Sequence, residues 1–188
     1  MADFYFSTPT LETERLILRR LNIRDAQDMF EYSQDPQVAQ HVLWSAHRTI
    51  SDSRMTIKYQ MHKYRAGEPA SWGIELKETG KLIGTIGFMW FQPDNMSAEV
   101  GYSLARAQWN KGIMSEALDK VIRYGFSKLY MNRIEAQHEV DNPASGRVME
   151  KCGMKKEGVL RQRLYNKGKY CDMALYSILR DDWKQNII

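Results

Sequence analysis

"WNKGIMSEAL", residues 109–118, places an aromatic residue and a lone glycine ahead of what reads as the first turns of a helix. From Ile113 to Leu129 the apolar positions Ile113, Ala117, Leu118, Val121, Ile122 and Phe126 recur with a helical period, so Gly112 falls where that helix begins. A helix N-terminus exposes backbone N–H groups and carries partial positive charge, so a tight turn leading into it suits an anionic phosphate. Gly112 lets the backbone come close, Lys111 adds charge and Ser115 offers a hydroxyl from the first turn. The same spacing also fits a plain sharp loop, because isolated glycines at helix starts are common. Two other phosphate motifs are absent: there is no G-x-x-x-x-G-K-[ST], and the glycines of "GTIGF" lie inside a strand pattern with no helix after them.

Upstream of this turn, "SWGIEL", "KLIGTIGFMWF" and "AEVGYSL" are rich in β-branched and aromatic residues, with "KETGK" and "QPDNMS" as turns, and read as three antiparallel strands. Earlier still, "RLILRRL" (15–21) reads as a strand, followed by a helix with Ile23, Ala26, Met29 and Phe30 at helical spacing. A second helix follows with Ile50, Met55, Ile57 and Met61 on one face, Ser51 as N-cap and Gly67 as stop. Downstream, "RIEAQHE" is a strand. "NPASGRVMEKCGM" is a short helix with Pro143 in its first turn, Gly153 as stop and an inner face of Ala144, Val148, Met149 and Cys152. The tail predicts a hairpin, "EGVLRQRLY" and "KYCDMALYSIL" joined through "NKGK", and then "RDDWKQNII" as a short terminal helix. This order is a mixed α/β (α+β) pattern with a C-terminal β-hairpin.

A chain of 188 residues with 43% hydrophobic content can bury one core, and no repeat or Pro/Gly-rich linker divides it, so a single domain over 1–188 is expected. Lys and Arg number 27 against 23 Asp and Glu, a mild net charge of +4 that favours an anionic ligand without requiring nucleic acid. Cys152 and Cys171 are too few for a disulfide framework and read as small core residues, and the N-terminus lacks a basic start followed by an apolar stretch. A cytoplasmic location follows as the expectation, with no membrane association, because no apolar run reaches the roughly 20 residues a spanning helix needs. The histidines at 41, 47, 62 and 138 show no metal-ligand spacing, so no metal is expected.

Three segments carry a family resemblance. "AEVGYSL", "WNKGIMSEAL" with "VIRYGF", and "DNPASGRVMEKCGMKKEG" resemble the GCN5-related N-acetyltransferases, most of all the RimJ and RimL type that acetylates ribosomal-protein N-termini. "LETERLILRRL" and "NKGKYCDMALYSIL" match that family's first strand and final hairpin in style, so the likeness covers nearly the whole chain. The resemblance implies a mostly antiparallel central sheet flanked by helices, and acetyl-coenzyme A as co-substrate. It implies that amides from Asn110 through Lys111, Gly112, Ile113 and Met114 to Ser115, beside Trp109, grip the pyrophosphate. The strand Glu99, Val100, Gly101, Tyr102, Ser103, Leu104 would pair its backbone with the pantetheine arm. Asn142 would bond that arm, Ser145 would lie near the thioester sulfur, and Lys151 would meet coenzyme phosphates. The chain departs from the common pattern with Asn110 where glycine is frequent and Met114 where a small residue is usual.

Acetyl transfer needs a neutral amine, a polarised carbonyl and a route for the proton. An α-amine with a reference pKa near 8 is already partly neutral at neutral pH, so a weak base suffices. Glu99 is the sequence-level candidate for that base, against a solvated strand carboxylate, and Ser145 for stabilising the thiolate. Trp44 and His47 are candidate walls of the acceptor pocket, against a packed aromatic and a surface histidine. Two alternatives stand beside a protein N-terminus as acceptor: a small amine such as a polyamine or aminoglycoside, and, in another class, a non-catalytic module binding RNA or ribosomes through the basic stretch 155–169. A homodimer is expected on family likeness and on the frequency of symmetric pairs.

Overall fold

A computed structural model describes residues 6–185; the first five residues and the end of the expected terminal segment, 186–188, lie outside the described residues. Eight strands form one sheet: β1 (Leu11–Glu12), β2 (Leu16–Arg19), β3 (Ser71–Leu76), β4 (Lys81–Gln92), β5 (Ser97–Leu104), β6 (Arg133–Glu139), β7 (Lys155–Asn166) and β8 (Lys169–Leu179). Their spatial order is β1-β2-β3-β4-β5-β6-β8-β7. Every adjacent pair is antiparallel except β5 and β6. The helices are α1 (Ala26–Ser33), α2 (Pro36–Ala39), α3 (Ile50–Ala66), α4 (Ile113–Ser127), α5 (Pro143–Lys151) and α6 (Arg180–Gln185). α4 makes the crossover that a parallel pair requires.

Strand alternation sends side chains to two apolar layers. Trp72, Ile74, Ile86, Phe88, Ala98 and Val100 join Ile113, Ala117, Leu118, Val121, Ile122 and Phe126 of α4 in the larger cluster. On the other face Leu21 and Leu82 pack with Ala26, Met29 and Tyr32 of α1 and with Ile57 and Tyr64 of α3. All six periodic positions read for α4 are buried.

Local differences from the sequence reading have simple causes. α3 is capped by Thr49 rather than Ser51, because Asp52 folds back to accept from the N–H groups of Arg48 and Thr49. Its inner face is Ser53, Ile57 and Tyr64, which leaves Met55 61% exposed. In α5 the buried positions are Gly146 and Met149, while Ala144 is exposed, since a Cβ at Gly146 would lie 2.7 Å from His138 Nε2 beneath the helix. α2 and the two-residue β1 had no counterpart in the reading.

Candidate active site

β5 and β6 pair only through Ser97↔Arg133, Ala98↔Ile134 and Glu99↔Glu135. β5 runs on to Leu104 and β6 to Glu139, each still paired on its outer side, to β4 and β8. The two inner edges therefore part after Glu99, and the backbone from Val100 to Leu104 faces β6 with no strand partner on that side. Backbone N–H and C=O groups need partners, so such an edge suits an extended ligand lying as a strand.

The gap opens into a cleft of about 340 Å³. Tyr102, Ser103 and Leu104 line it from the strand, and Trp109, Asn110, Gly112, Ile113, Met114 and Ser115 from the turn and first turn of α4. Asn142, Ser145 and Lys151 line it from α5. Three strand and turn positions read from the sequence, Val100, Gly101 and Lys111, stand outside that lining, as do Glu99, Trp44 and His47.

Asn110 and Gly112 both adopt left-handed backbone, φ 60° and 75°. Asparagine is one of the few side-chain-bearing residues that tolerates this region, which explains how it stands where glycine is frequent. Trp109 Nε1 donates to the Leu104 carbonyl at 2.8 Å and fixes the turn to the end of β5. The Lys111 side chain points back to Gln108 Oε1 at 3.3 Å, and its carbonyl accepts from Arg15 Nη1 at 2.9 Å. Arg15 is itself held by Glu116 of α4, Nε to Oε2 at 2.7 Å, and the Arg15 N–H meets the other oxygen at 2.9 Å. Arg15 and Glu116 thus brace the turn from behind, a long-range link that local spacing does not reveal.

Across the cleft, Asn142 occupies the N-cap of α5 but makes no capping side-chain bond. Ser145 Oγ lies 2.9 Å from the Tyr102 hydroxyl, which also reaches the Ser145 carbonyl at 3.0 Å. Burial pushes the Tyr102 hydroxyl well above its usual pKa, so it stays protonated. The Cys152 thiol, pushed up to about 12 by burial, donates to the Ser115 carbonyl at 3.2 Å. It is a structural thiol rather than a nucleophile.

Glu99 points to the opposite face of the sheet from Val100. Its Oε2 accepts from Trp90 Nε1 at 2.7 Å, and Gln137 Nε2 lies 3.1 and 3.2 Å from its two oxygens. Trp44 packs against the smaller apolar cluster, 5.4 Å ring to ring from His47, whose Nδ1 meets Ser53 Oγ at 2.8 Å. Trp44 is thus a packed aromatic, and His47 is half-buried against Ser53 rather than at the surface.

The sequence reading missed the wall made by Gln37, Val38, His41 and Val42. Its signal was "DPQVAQ": Asp35 caps α2 by accepting from the Gln37 N–H at 2.9 Å, with Pro36 in the first turn. Asp35 Oδ2 also takes Arg106 Nε at 2.7 Å, tying α2 to the segment before the turn. Of the basic residues on the hairpin, Lys155 pairs with Asp182, Lys169 with Asp141, and Lys167 turns inward to the carbonyls of Ala39, Gln40 and Val42. Among the described residues no group of three or more His, Cys, Asp or Glu is placed to hold a metal ion, and no helix is long and apolar enough to cross a membrane.

A parallel strand pair that parts beside the amide-rich start of a helix leaves an open strand edge and an anion-favouring turn in one cleft. Comparison with known proteins agrees. Residues 15–155 match the family model described as an acetyltransferase (GNAT) domain. The chain is 37% identical over 174 residues to the uncharacterised N-acetyltransferase p20 of Bacillus licheniformis, covering 93% of this chain and 98% of that one. It is 32% identical over 130 residues to the ribosomal-protein-serine acetyltransferase of Escherichia coli, covering 69% and 72%. Among solved structures, a GNAT-family acetyltransferase from Bacillus anthracis superposes with TM-score 0.82 at 28% identity, covering 92% and 99%. The microcin C7 self-immunity acetyltransferase MccE, solved with acetyl-CoA and AMP, superposes with TM-score 0.81 at 26% identity, covering 89% and 93%. The chain belongs to the GCN5-related N-acetyltransferase family and is an acyltransferase.

Proposed function

We propose that the chain transfers the acetyl group of acetyl-coenzyme A to the α-amine of a protein N-terminus. The observation that carries this reading is the strand edge Val100–Leu104, left unpaired where β5 and β6 part and leading straight into the left-handed turn at Asn110 and Gly112. Those features fit the coenzyme: an extended arm meets an open strand edge, a diphosphate meets the start of α4, and the uncommitted Asn142 side chain faces the same cleft. Bound acetyl-coenzyme A supplies a thioester carbonyl for attack by the amine.

The chain's own groups do the rest. Amides of β5 where the strands part present donors toward that carbonyl, in the manner of an oxyanion hole. The Ser145 hydroxyl, backed by Tyr102, stabilises the departing thiolate. Lys151, exposed on the rim of the cleft, adds positive charge for phosphate. Glu99 belongs to the acceptor side, on the face opposite α5, where Trp90 and Gln137 hold its carboxylate. The preference for a protein N-terminus rests on the ribosomal-protein acetyltransferases among the relatives and on the low proton-removal demand of an α-amine.

The test is acetyl-coenzyme A turnover against a panel of N-terminal peptides, with spermidine, a lysine side chain and an aminoglycoside as competing acceptors. Turnover highest on N-terminal peptides is expected. Turnover confined to spermidine or the aminoglycoside would move the acceptor to a small amine.

A further inference from the structure

We propose that His41 is the general base of the acetyl transfer and that Glu139 is its positioning residue. The assignment rests on the acetyl-transfer reading above. His41 lines the cleft, and its side chain is 19% exposed, so a bound acceptor can reach it. Its Nδ1 lies 2.9 Å from Glu139 Oε2, while its Nε2, at the other edge of the ring, makes no hydrogen bond to the described residues. With the carboxylate accepting from Nδ1–H, the lone pair sits on Nε2, the atom free to take a proton.

Glu139 is 3% exposed, and its other oxygen accepts from Asn166 Nδ2 at 2.8 Å. Burial alone pushes its carboxyl up, yet the hydrogen bonds from His41 and Asn166 outweigh that and hold it below its ordinary value. A buried anion bonded to one edge of an imidazole fixes the ring and stabilises the imidazolium that forms. The backbone that carries His41 is also anchored. Lys167, in the turn of the β7–β8 hairpin, donates to the carbonyls of Ala39 and Val42, and Asn166 Nδ2 reaches Val42 O at 3.4 Å.

The position suits the chemistry. Counting on from the paired residues Glu99 and Glu135 brings Ser103 and Glu139 to one level of the splayed strands. Tyr102, one residue before, sends its hydroxyl to Ser145 on the α5 side, while Glu139 and His41 stand on the opposite face. The cleft therefore has a hydroxyl for the thiolate on one wall and a basic nitrogen on the other. Glu99, by contrast, lies outside the lining with its oxygens engaged by Trp90 and Gln137. In the step itself the amine lone pair forms the C–N bond, the amine proton passes to His41 Nε2, and the C–S electron pair leaves with sulfur. The thiolate is then protonated through Ser145 or solvent, and the imidazolium returns its proton to water. The charged and titratable groups around His41 are Glu139 and His138 from β6, Lys167 from the hairpin turn and Cys171 from β8, which bears on Glu139.

The test compares the unaltered protein with His41→Gln, His41→Ala and Glu139→Gln, reading coenzyme affinity by calorimetry and kcat against pH with the best acceptor. For His41→Gln the expected result is coenzyme Kd within about twofold, kcat lower by about 10²–10³-fold and loss of the acidic limb of the profile. His41→Ala should regain at least about tenfold of its lost rate on adding imidazole. Glu139→Gln should lower kcat while leaving coenzyme Kd and the acceptor KM within about twofold, because the ring loses the partner that holds it in place; Glu139 is buried, so the His41 variants carry the test if this one fails to fold. A His41→Gln profile like that of the unaltered protein overturns the assignment. So does a lost limb in Glu99→Gln instead, or a His41→Ala defect that imidazole leaves untouched. Failure of the unaltered protein to bind acetyl-coenzyme A would strike the acetyl-transfer reading, and the base assignment with it.

Discussion

The Tyr102 hydroxyl meets the Ser145 hydroxyl at 2.9 Å across the boundary between β5 and α5. The phenol has one proton and two acceptors, Ser145 Oγ and the Ser145 carbonyl. When the proton goes to Oγ, the serine proton is free to turn into the cleft and meet the thiolate. Tyr102→Phe removes this backing and is expected to lower kcat about tenfold, the scale of one lost hydrogen bond, with coenzyme affinity little changed. Ser145→Ala should cost a similar factor, and the double variant no more than the worse single one, because both act on one proton. Steady-state kinetics of the four proteins checks this, and additive losses would separate the two residues.

Gly112 is favoured by its backbone conformation. A Cβ placed there would meet only Arg15 Nη2, at 3.6 Å, an ordinary contact, whereas φ of 75° is costly for any residue with a side chain. A side chain at 112 therefore carries a conformational cost of about 1–2 kcal/mol before any contact with a bound phosphate. Gly112→Val is expected to weaken acetyl-coenzyme A binding about tenfold or more. Asn110→Gly, which relieves φ of 60°, should leave affinity within about twofold. Calorimetric titration of both checks this, and undiminished affinity in Gly112→Val would count against the coenzyme turn.

Arg15 and Glu116 hold the turn without lining the cleft. Arg15 is 43% exposed at the side chain, so screening limits the pair to about 1 kcal/mol or less. Glu116→Gln should therefore raise the KM for acetyl-coenzyme A by up to about fivefold while leaving kcat at saturation unchanged. A fall in kcat with no change in KM would mean that the brace acts on the chemistry and not on the coenzyme turn.

Much of this arrangement is legible in the sequence wherever one element carries it. The period of Ile113 to Phe126 places α4, the strands "RIEAQHE" and "KYCDMALYSIL" fall on β6 and β8, and "NPASG" places the start of α5. What stays hidden is made by contacts between distant segments. His41 becomes informative only when Glu139 is brought to it from 98 residues away, and Arg15 only when Glu116 arrives from 101. Glu99 is similar: in the sequence it is a carboxylate on a strand, and its partners Trp90 and Gln137 reach it only through the sheet register. α2 was short enough that its cap signal, Asp35 and Pro36, was its main trace.

Glu157 gives the fold a defined sensitivity to acid. Both of its oxygens lie 2.7 Å from Arg133 nitrogens, and the Ser177 hydroxyl donates to it at 2.6 Å. The Arg133 guanidinium, with help from Ser177, holds the Glu157 carboxyl down at about 2. A carboxyl whose folded pKa lies below its unfolded value of about 4.3 stabilises the fold above that value, and the contribution disappears as pH falls through about 2. The side chain is 39% exposed, so solvent screening reduces the effect to about 1 kcal/mol, or 2–4 °C in Tm for a chain of this size. Thermal melts of the unaltered protein and Glu157→Gln should therefore differ by about that amount at pH 7, and the gap should narrow steadily between pH 4 and pH 2. A gap that persists unchanged at pH 2 would show that the glutamate acts through packing and the Ser177 bond rather than through its charge.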